Sequence, residues 1–174
     1  MGLKKEFVIP VIVLSFICFF VSAALAIGYN MTQPVIEEAA AQRAEAARKE
    51  VIPHADGFVL LDVDHLPKTV TAVYGTTNNV GFVFMITTSG YGGEIKLLCA
   101  ISPDGKIIRT ATLSQTETKG IATKVFNQEA RYIGKDKNLA GTEAVSGATI
   151  TSNAYKNGIR GAFEVYEKVK GIRL

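Results

Sequence analysis

The chain is poor in the residues that build metal centres and disulfide frameworks. Its 174 residues include two cysteines, two histidines and no tryptophan. Cys18 lies in a long apolar stretch and Cys99 lies in the globular part, so a disulfide framework and a thiolate metal site are both excluded. His54 and His65 lie far from any acidic cluster, and we interpret both as surface or loop residues.

The chain also lacks a charge excess of either sign. Removing Lys4, Lys5 and Glu6 from the 19 basic and 16 acidic residues leaves 17 basic and 15 acidic residues for the rest of the chain. This balance gives no indication of a nucleic-acid partner. The length allows one domain of ordinary size together with an anchor or linker.

One long run carries no charge at all. Phe7 to Tyr29 comprises 23 uncharged residues, which as a helix would reach about 34 Å and cross a bilayer core of roughly 30 Å. We interpret the run as a transmembrane helix. The alternative is a cleaved signal peptide, favoured by the small residues around Leu25, but the run is longer than the usual apolar region of roughly 7 to 15 residues. Lys4 and Lys5 predict a cytoplasmic N-terminus, with the rest of the chain from about residue 30 outside the cytoplasm.

The chain is predicted to have three parts. They are an N-terminal anchor over residues 1–30, a helical stalk over residues 31–53 and an extracytoplasmic domain over residues 54–174. Thr32 followed by Pro34 is typical of a helix start, and the next residues are rich in alanine and mixed charges. Pro53 is expected to end the stalk.

The predicted domain is of the α+β class, an antiparallel sheet with flanking helices. Residues 57–63, 69–74, 80–87, 94–101 and 106–113 are rich in Val, Ile, Leu, Phe and Thr and are predicted as strands. Turn sequences between the last three favour an antiparallel meander. A short helix is expected over residues 120–130. A final helix over about 153–170 has Ser152 as a plausible N-cap, and Cys99 is interpreted as a buried, inert thiol.

The final helix has an apolar stripe at helical spacing that should pack on the sheet. Its members are Tyr155, Ile159, Ala162, Phe163, Tyr166 and Val169.

The segment before this helix carries the candidate chemistry. It reads Ser146-Gly147-Ala148-Thr149-Ile150-Thr151-Ser152. Small residues let a backbone approach a ligand closely, and a helix N-terminus offers N–H groups and partial positive charge to a phosphate. The hydroxyls add a possible covalent attachment point. The alternative is a Ser/Thr-rich helix cap without a ligand.

With Glu143, this segment resembles the attachment motif Asp-x-x-Ser/Thr-Gly-Ala-Thr of a covalent-FMN family. The family includes the G subunit of the Rnf electron-transport complex and the C subunit of the sodium-pumping NADH:quinone oxidoreductase. The resemblance implies FMN esterified through its phosphate to Thr149 by a flavin transferase that uses FAD and a divalent metal ion. It also implies that neighbouring residues contact the cofactor, namely Ser146, Gly147, Ala148, Ile150 and Thr151. Glu143 stands where the family has Asp.

The resemblance extends over most of the chain, in the family's order. It includes the anchor, Thr32 with Pro34, Gly90-Tyr91-Gly92-Gly93, Asp104-Gly105, and Glu117-Thr118 followed by Gly120. It implies cofactor contacts from Tyr91, Gly92, Glu117 and Thr118. The alternatives are an ordinary hairpin turn at residues 90–93 and packing of Tyr91 on the sheet rather than on the flavin ring. Residues 119–122 read Lys-Gly-Ile-Ala, where family members often have Pro-Gly-Leu-Gly.

The function that this resemblance implies is electron relay through covalent FMN within an Rnf-type ferredoxin:NAD oxidoreductase, coupled to Na⁺ or H⁺ translocation. The chain would be an electron-transfer subunit working with other membrane subunits, rather than an enzyme alone. It carries no nicotinamide fingerprint and no iron–sulfur cysteine set. Three alternatives stay open: the corresponding quinone-reductase subunit, an anchored binding module without redox activity, and a secreted FMN-domain reductase.

Overall fold

The computed structural model describes residues 3–120 and 123–174. Of the resemblance at residues 117–122, Ile121 and Ala122 therefore lie outside the described residues. The chain divides into two compact units, one ending at Gln42 and the other running from Arg43 to Leu174.

Helix α1 spans Leu3–Val51 and passes through Pro10 and Pro34 without interruption. Among the described residues, the stretch Val8–Val51 is the one helix that is long and apolar enough to cross a membrane. No helix begins at Thr32, since α1 is continuous there, and the Thr32 hydroxyl donates backwards to the carbonyl of Gly28 at 3.0 Å, as threonines inside helices do. The helix ends two residues before Pro53, as the sequence predicts.

The five predicted strands are confirmed, with ends that differ by a few residues. They are β1 (Phe58–Leu61), β2 (Val70–Thr76), β3 (Phe82–Ser89), β4 (Glu94–Ile101) and β5 (Ile107–Gln115). Each strand pairs antiparallel with the next, in the order β1-β2-β3-β4-β5. The sheet is therefore the predicted meander. Short loops suffice because antiparallel neighbours need no crossover.

Both faces of the sheet are covered within the C-terminal unit. Ile95, Leu97 and Cys99 of β4 alternate onto the face that packs against the final helix. Leu98 and Ala100 point to the opposite face, where they contact a cluster containing Val51 and Ile52 from the end of α1. Strand β4 is buried on both faces, which explains its nearly continuous apolar sequence.

The segment after the sheet differs from the single helix predicted over residues 120–130. It forms α2 (Thr123–Phe126) and a 3-10 helix (Glu129–Tyr132). Oε1 of Glu129 accepts hydrogen bonds from the Thr112 backbone N–H at 2.8 Å and from the Tyr155 hydroxyl at 3.2 Å. These bonds tie the 3-10 helix to β5 and to the final helix.

The final helix, α3, spans Thr149–Val169 and starts four residues earlier than predicted. Its N-cap residue is Ala148, so the prediction of Ser152 at this position is wrong. The Ser152 hydroxyl instead accepts a hydrogen bond from the Val145 backbone N–H at 3.0 Å, inside the first turns of the helix. The predicted apolar stripe is confirmed, since all six of its residues are buried: Tyr155, Ile159, Ala162, Phe163, Tyr166 and Val169.

Candidate functional site

Three separate segments meet at a cleft of about 470 Å³. The β3–β4 turn contributes Tyr91, and the chain after β5 contributes Glu117 and Thr118. The remaining wall is the start of α3, comprising Gly147, Ala148, Thr149, Ile150 and Thr151. The structure thus brings together eight of the ten cofactor-contact residues expected from the sequence. Gly92 and Ser146 are exposed and do not line the cleft, and the Gly92 backbone N–H donates a hydrogen bond to Glu117.

The four hydroxyls of the segment 146–152 differ in their availability. Thr151 and Ser152 are each 2% exposed and both are engaged in hydrogen bonds. Thr149 is exposed and lines the cleft, whereas Ser146 is exposed outside the lining. Thr149 is therefore the hydroxyl-bearing residue of this segment that is exposed and also lines the cleft.

The backbone around Thr149 suits a phosphate. The first backbone hydrogen bond of α3 joins the Ser152 N–H to the Ala148 carbonyl at 2.9 Å. The N–H groups of Thr149, Ile150 and Thr151 precede this bond and belong to the end of the helix that attracts anions. Gly147 has a φ of 81°, a left-handed conformation that glycine adopts without steric cost. This turn admits a ligand close to the helix N-terminus.

Glu117 joins two walls of the cleft. Its side chain is 7% exposed. Oε2 accepts a hydrogen bond from the Thr151 hydroxyl at 2.7 Å, and Oε1 accepts one from the Gly92 backbone N–H at 3.0 Å. The carboxylate therefore fixes the β3–β4 turn and the first turn of α3 relative to each other.

The glycines of the β3–β4 turn allow this close approach. A Cβ added at Gly90 would overlap Oε1 of Glu117, and one added at Gly92 would lie 2.7 Å from the Thr116 carbonyl oxygen. Gly93 has a φ of 139°. The sequence Gly90-Tyr91-Gly92-Gly93 is thus more than an ordinary hairpin turn, because it packs directly on the segment that carries Glu117.

Two large side chains of the lining, Tyr91 and Ile150, are exposed and mainly apolar. Tyr91 is 75% exposed and Ile150 is 56% exposed. Tyr91 does not pack on the sheet, so its ring remains available to stack on a planar ligand. A phosphate at the helix N-terminus and a flat ring between these side chains would fit the shape and chemistry of FMN.

Other residues singled out in the sequence lie elsewhere. Glu143 is exposed and does not line the cleft, and its backbone carbonyl accepts a hydrogen bond from Arg131. His54 and His65 are exposed. Cys99 is fully buried in the core, and this burial raises the pKa of its thiol far above the ordinary value. Cys99 is thus the inert core thiol predicted from the sequence.

Two features of the site could not be found from the sequence pattern. The bonds of Glu117 to Gly92 and Thr151 join positions 25 and 34 residues away. The hydrogen bonds of Glu129 to β5 and α3 also have no sequence motif, because a glutamate before a short apolar segment is common. The only signal for Glu117 is its place in the Glu117-Thr118 resemblance.

Comparison with known proteins gives consistent matches. Residues 90–164, which contain all three cleft segments, match the FMN-binding domain family. The chain is 32% identical to the G subunit of the Na⁺-translocating ferredoxin:NAD⁺ oxidoreductase complex of Acetobacterium woodii, over 90% of this chain and 91% of that protein. It is 29% identical to the G subunit of the proton-translocating ferredoxin:NAD⁺ oxidoreductase complex of Clostridium ljungdahlii, over 87% of this chain and 86% of that protein. It is 27% identical to the G subunit of the ion-translocating oxidoreductase complex of Methanosarcina acetivorans, over 97% of this chain and 98% of that protein.

The family match identifies an FMN-binding domain, which follows a helix that is long and apolar enough to cross a membrane. Within that class, the chain belongs to the family of the G subunits of ion-translocating Rnf-type oxidoreductase complexes, which it matches over nearly its whole length. The family and the apolar helix together place the protein at a membrane.

Proposed function

We propose that the chain relays electrons as the G subunit of an Rnf-type ferredoxin:NAD oxidoreductase coupled to Na⁺ or H⁺ translocation, and that it carries FMN covalently on Thr149. The observation that carries the attachment is the environment of this threonine. Among the hydroxyl-bearing residues of the segment 146–152, Thr149 is the one that is exposed and also lines the cleft at a helix N-terminus. The family membership supports the function of the complex.

The attachment is a phosphoryl-transfer reaction with FAD as the donor. The Thr149 hydroxyl releases its proton to solvent, its oxygen bonds to the phosphorus of the FMN half of FAD, and the bond from that phosphorus to the AMP half breaks, so that AMP leaves. A flavin transferase with a divalent metal ion catalyses this step in trans. The start of α3 favours the product, because partial positive charge at a helix N-terminus stabilises the added phosphate.

The bound FMN supplies the redox chemistry, and the protein supplies position and environment. In our proposal Tyr91 and Ile150 flank the ring, while Gly147 lets the backbone approach the phosphate. A phosphoester prevents loss of the cofactor on the outer side of the membrane. Because Tyr91 is exposed, a flavin ring beside it would be accessible for electron exchange with neighbouring subunits.

We further propose that the N-terminus is cytoplasmic and that the FMN domain is extracytoplasmic. Lys4 and Lys5 precede the apolar run and are typical of the cytoplasmic flank of a membrane span. The partners are the other membrane subunits of the complex, and the transferase is a partner during maturation only.

The attachment is tested by the intact mass of the full-length protein co-expressed with a flavin transferase. We expect wild type to carry one FMN phosphoryl group, Thr149→Ala to carry none, and Ser114→Ala, which removes an exposed hydroxyl outside the cleft, to carry one. Membranes containing the complex with Thr149→Ala should lose electron transfer from reduced ferredoxin to NAD⁺. An adduct that persists in Thr149→Ala, or that peptide mapping assigns to Thr151, would contradict the proposal. Wild type without flavin would instead favour an anchored binding module.

A further inference from the structure

Of the described residues that line the cleft, Glu117 is the one whose side chain carries a formal charge. It is 7% exposed, and within the described part of the chain it forms no ion pair. Both of its oxygens act as acceptors, one from a hydroxyl and one from a backbone N–H. Both contacts come from neutral groups, so no neighbouring positive charge offsets the carboxylate.

The position of this charge is electrostatically significant. A charge in a poorly solvated wall acts on its neighbours through a lower effective dielectric than a surface charge does. Two hydrogen bonds stabilise the carboxylate without neutralising it. Two opposed influences therefore act in the cleft. The N–H groups at the start of α3 attract negative charge, whereas the Glu117 carboxylate, which is bonded to Thr151 in the first turn of α3, repels it.

We propose that Glu117 lowers the reduction potential of the flavin in this cleft. The inference rests on the proposed function, because it takes the ring of FMN as the occupant. Electrons delivered to the ring by a reduced redox partner add negative charge wherever protons do not fully compensate them. A fixed negative charge in the wall raises the free energy of the more negative, reduced ring above that of the oxidised ring. Glu117 is then a positioning residue that also tunes the redox equilibrium.

The test is a spectroelectrochemical titration of the full-length, FMN-bearing protein at neutral pH, with dithionite as the reductant. Glu117→Gln keeps the side-chain volume and removes the charge. We expect it to raise the ratio of reduced to oxidised flavin at a given potential by roughly tenfold, which for a two-electron couple is about 30 mV. Glu94→Gln is the matched control, since it removes a half-exposed carboxylate two residues beyond Gly92. Because solvent screens the Glu94 charge, we expect the flavin reduction potential of Glu94→Gln to stay close to that of wild type.

A second variant separates charge from packing. Thr151→Ala removes the hydroxyl that donates to Oε2 but keeps the charge, so the field on the ring becomes stronger. We expect its potential to fall below that of wild type, opposite to Glu117→Gln, and Thr151→Ser, which restores the donor, to return to the wild-type value. If Glu117→Gln is not recovered folded with FMN, the sign of the Thr151→Ala shift decides alone.

The possible outcomes separate this inference from the proposed function. Intact mass is measured first, and wild type without covalent FMN would overturn both the attachment and the inference. With FMN present on Thr149, equal potentials in wild type and Glu117→Gln would overturn the role of Glu117 and leave the attachment standing. Shifts of the same sign in Glu117→Gln and Thr151→Ala would show that packing, not charge, sets the potential, and would also overturn it. A reduction potential of Thr151→Ala above that of wild type would also overturn the role of Glu117.

Discussion

Glycines near the cleft serve two different purposes at the level of single residues. Gly147 supplies a left-handed backbone conformation directly before α3. Gly90 and Gly92 instead leave room for the chain segment that carries Glu117. The sequence alone identifies these positions as turn residues, but it does not show which of them are required for close contact. That distinction depends on the strand register, which brings the turn against Thr116.

The contact requirement predicts that Gly92→Ala destabilises the C-terminal unit. The new Cβ would lie 2.7 Å from the Thr116 carbonyl oxygen, which is backbone and cannot rotate away. Overpacking of this kind costs about 1–3 kcal/mol. In a chain of this size that corresponds to a fall of several degrees in the unfolding temperature, which tyrosine fluorescence of the detergent-solubilised protein can follow.

Gly171→Ala is the control for this prediction. A Cβ at Gly171 would have no heavy atom within 4 Å. We expect it to change stability by no more than about 0.5 kcal/mol, as surface substitutions usually do. Equal unfolding temperatures for Gly92→Ala and Gly171→Ala would contradict the packing of the turn on Thr116.

At the level of secondary-structure elements, the sequence predicts correctly those elements that depend on local sequence patterns. It places the boundaries wrongly where tertiary contacts determine them. The strands are correct because short segments rich in strand-forming residues are separated by turn sequences, and both signals are local. Helix α3 begins earlier than predicted because the Ser152 hydroxyl bonds to Val145, which is outside the helix. The segment after β5 breaks into two short helical turns, and Glu129 bonds to β5 and α3 instead of facing solvent.

The packing of α3 on the sheet predicts an unusual effect of alanine. Alanine normally favours a helix over glycine by about 1 kcal/mol. At Gly158, however, the added Cβ would lie 2.7 Å from Cγ2 of Ile86, a β-branched side chain in the buried centre of β3. Overpacking of this kind costs about 1–3 kcal/mol, which outweighs the gain in helix propensity. We expect Gly158→Ala to lower the unfolding temperature.

Asn153→Ala provides the comparison within the same helix. Asn153 is exposed, so the same new residue brings only the gain in helix propensity, about 0.5 kcal/mol. Its unfolding temperature should rise slightly while that of Gly158→Ala falls. Stabilisation by both substitutions would show that α3 does not approach β3 as closely as described.

At the scale of the whole molecule, the candidate site depends on three segments that are far apart in sequence. Resemblance to the family identifies Tyr91, Glu117 and Thr149 as relevant without placing them in contact. The meander then brings the β3–β4 turn and the C-terminal end of β5 to the same end of the strands, next to the start of α3. Residue types were therefore predictable, whereas the hydrogen bonds that link them follow from the register and the packing of α3.

The same core predicts a loss of stability at alkaline pH. Burial raises the pKa of the Cys99 thiol, and burial together with the nearby charge of Glu129 raises the pKa of the Tyr155 hydroxyl. Both groups stay protonated in the folded state at pH values where the unfolded chain releases their protons. The free energy of unfolding is therefore not reduced by these groups below about pH 8.5, the pKa of an unperturbed thiol. It falls as the pH rises above that value.

For Cys99 alone, the loss by pH 10 amounts to about 2 kcal/mol. We expect the urea midpoint of the full-length protein to fall between pH 8 and pH 10, and Cys99→Ala to show a smaller fall over that interval even though its midpoint at pH 8 is lower. In a Cys18→Ser background, Cys99 should resist alkylation at pH 9 until urea unfolds the domain. Rapid alkylation of the folded protein, or a midpoint that does not change with pH, would mean that this thiol is not enclosed between the sheet and α3.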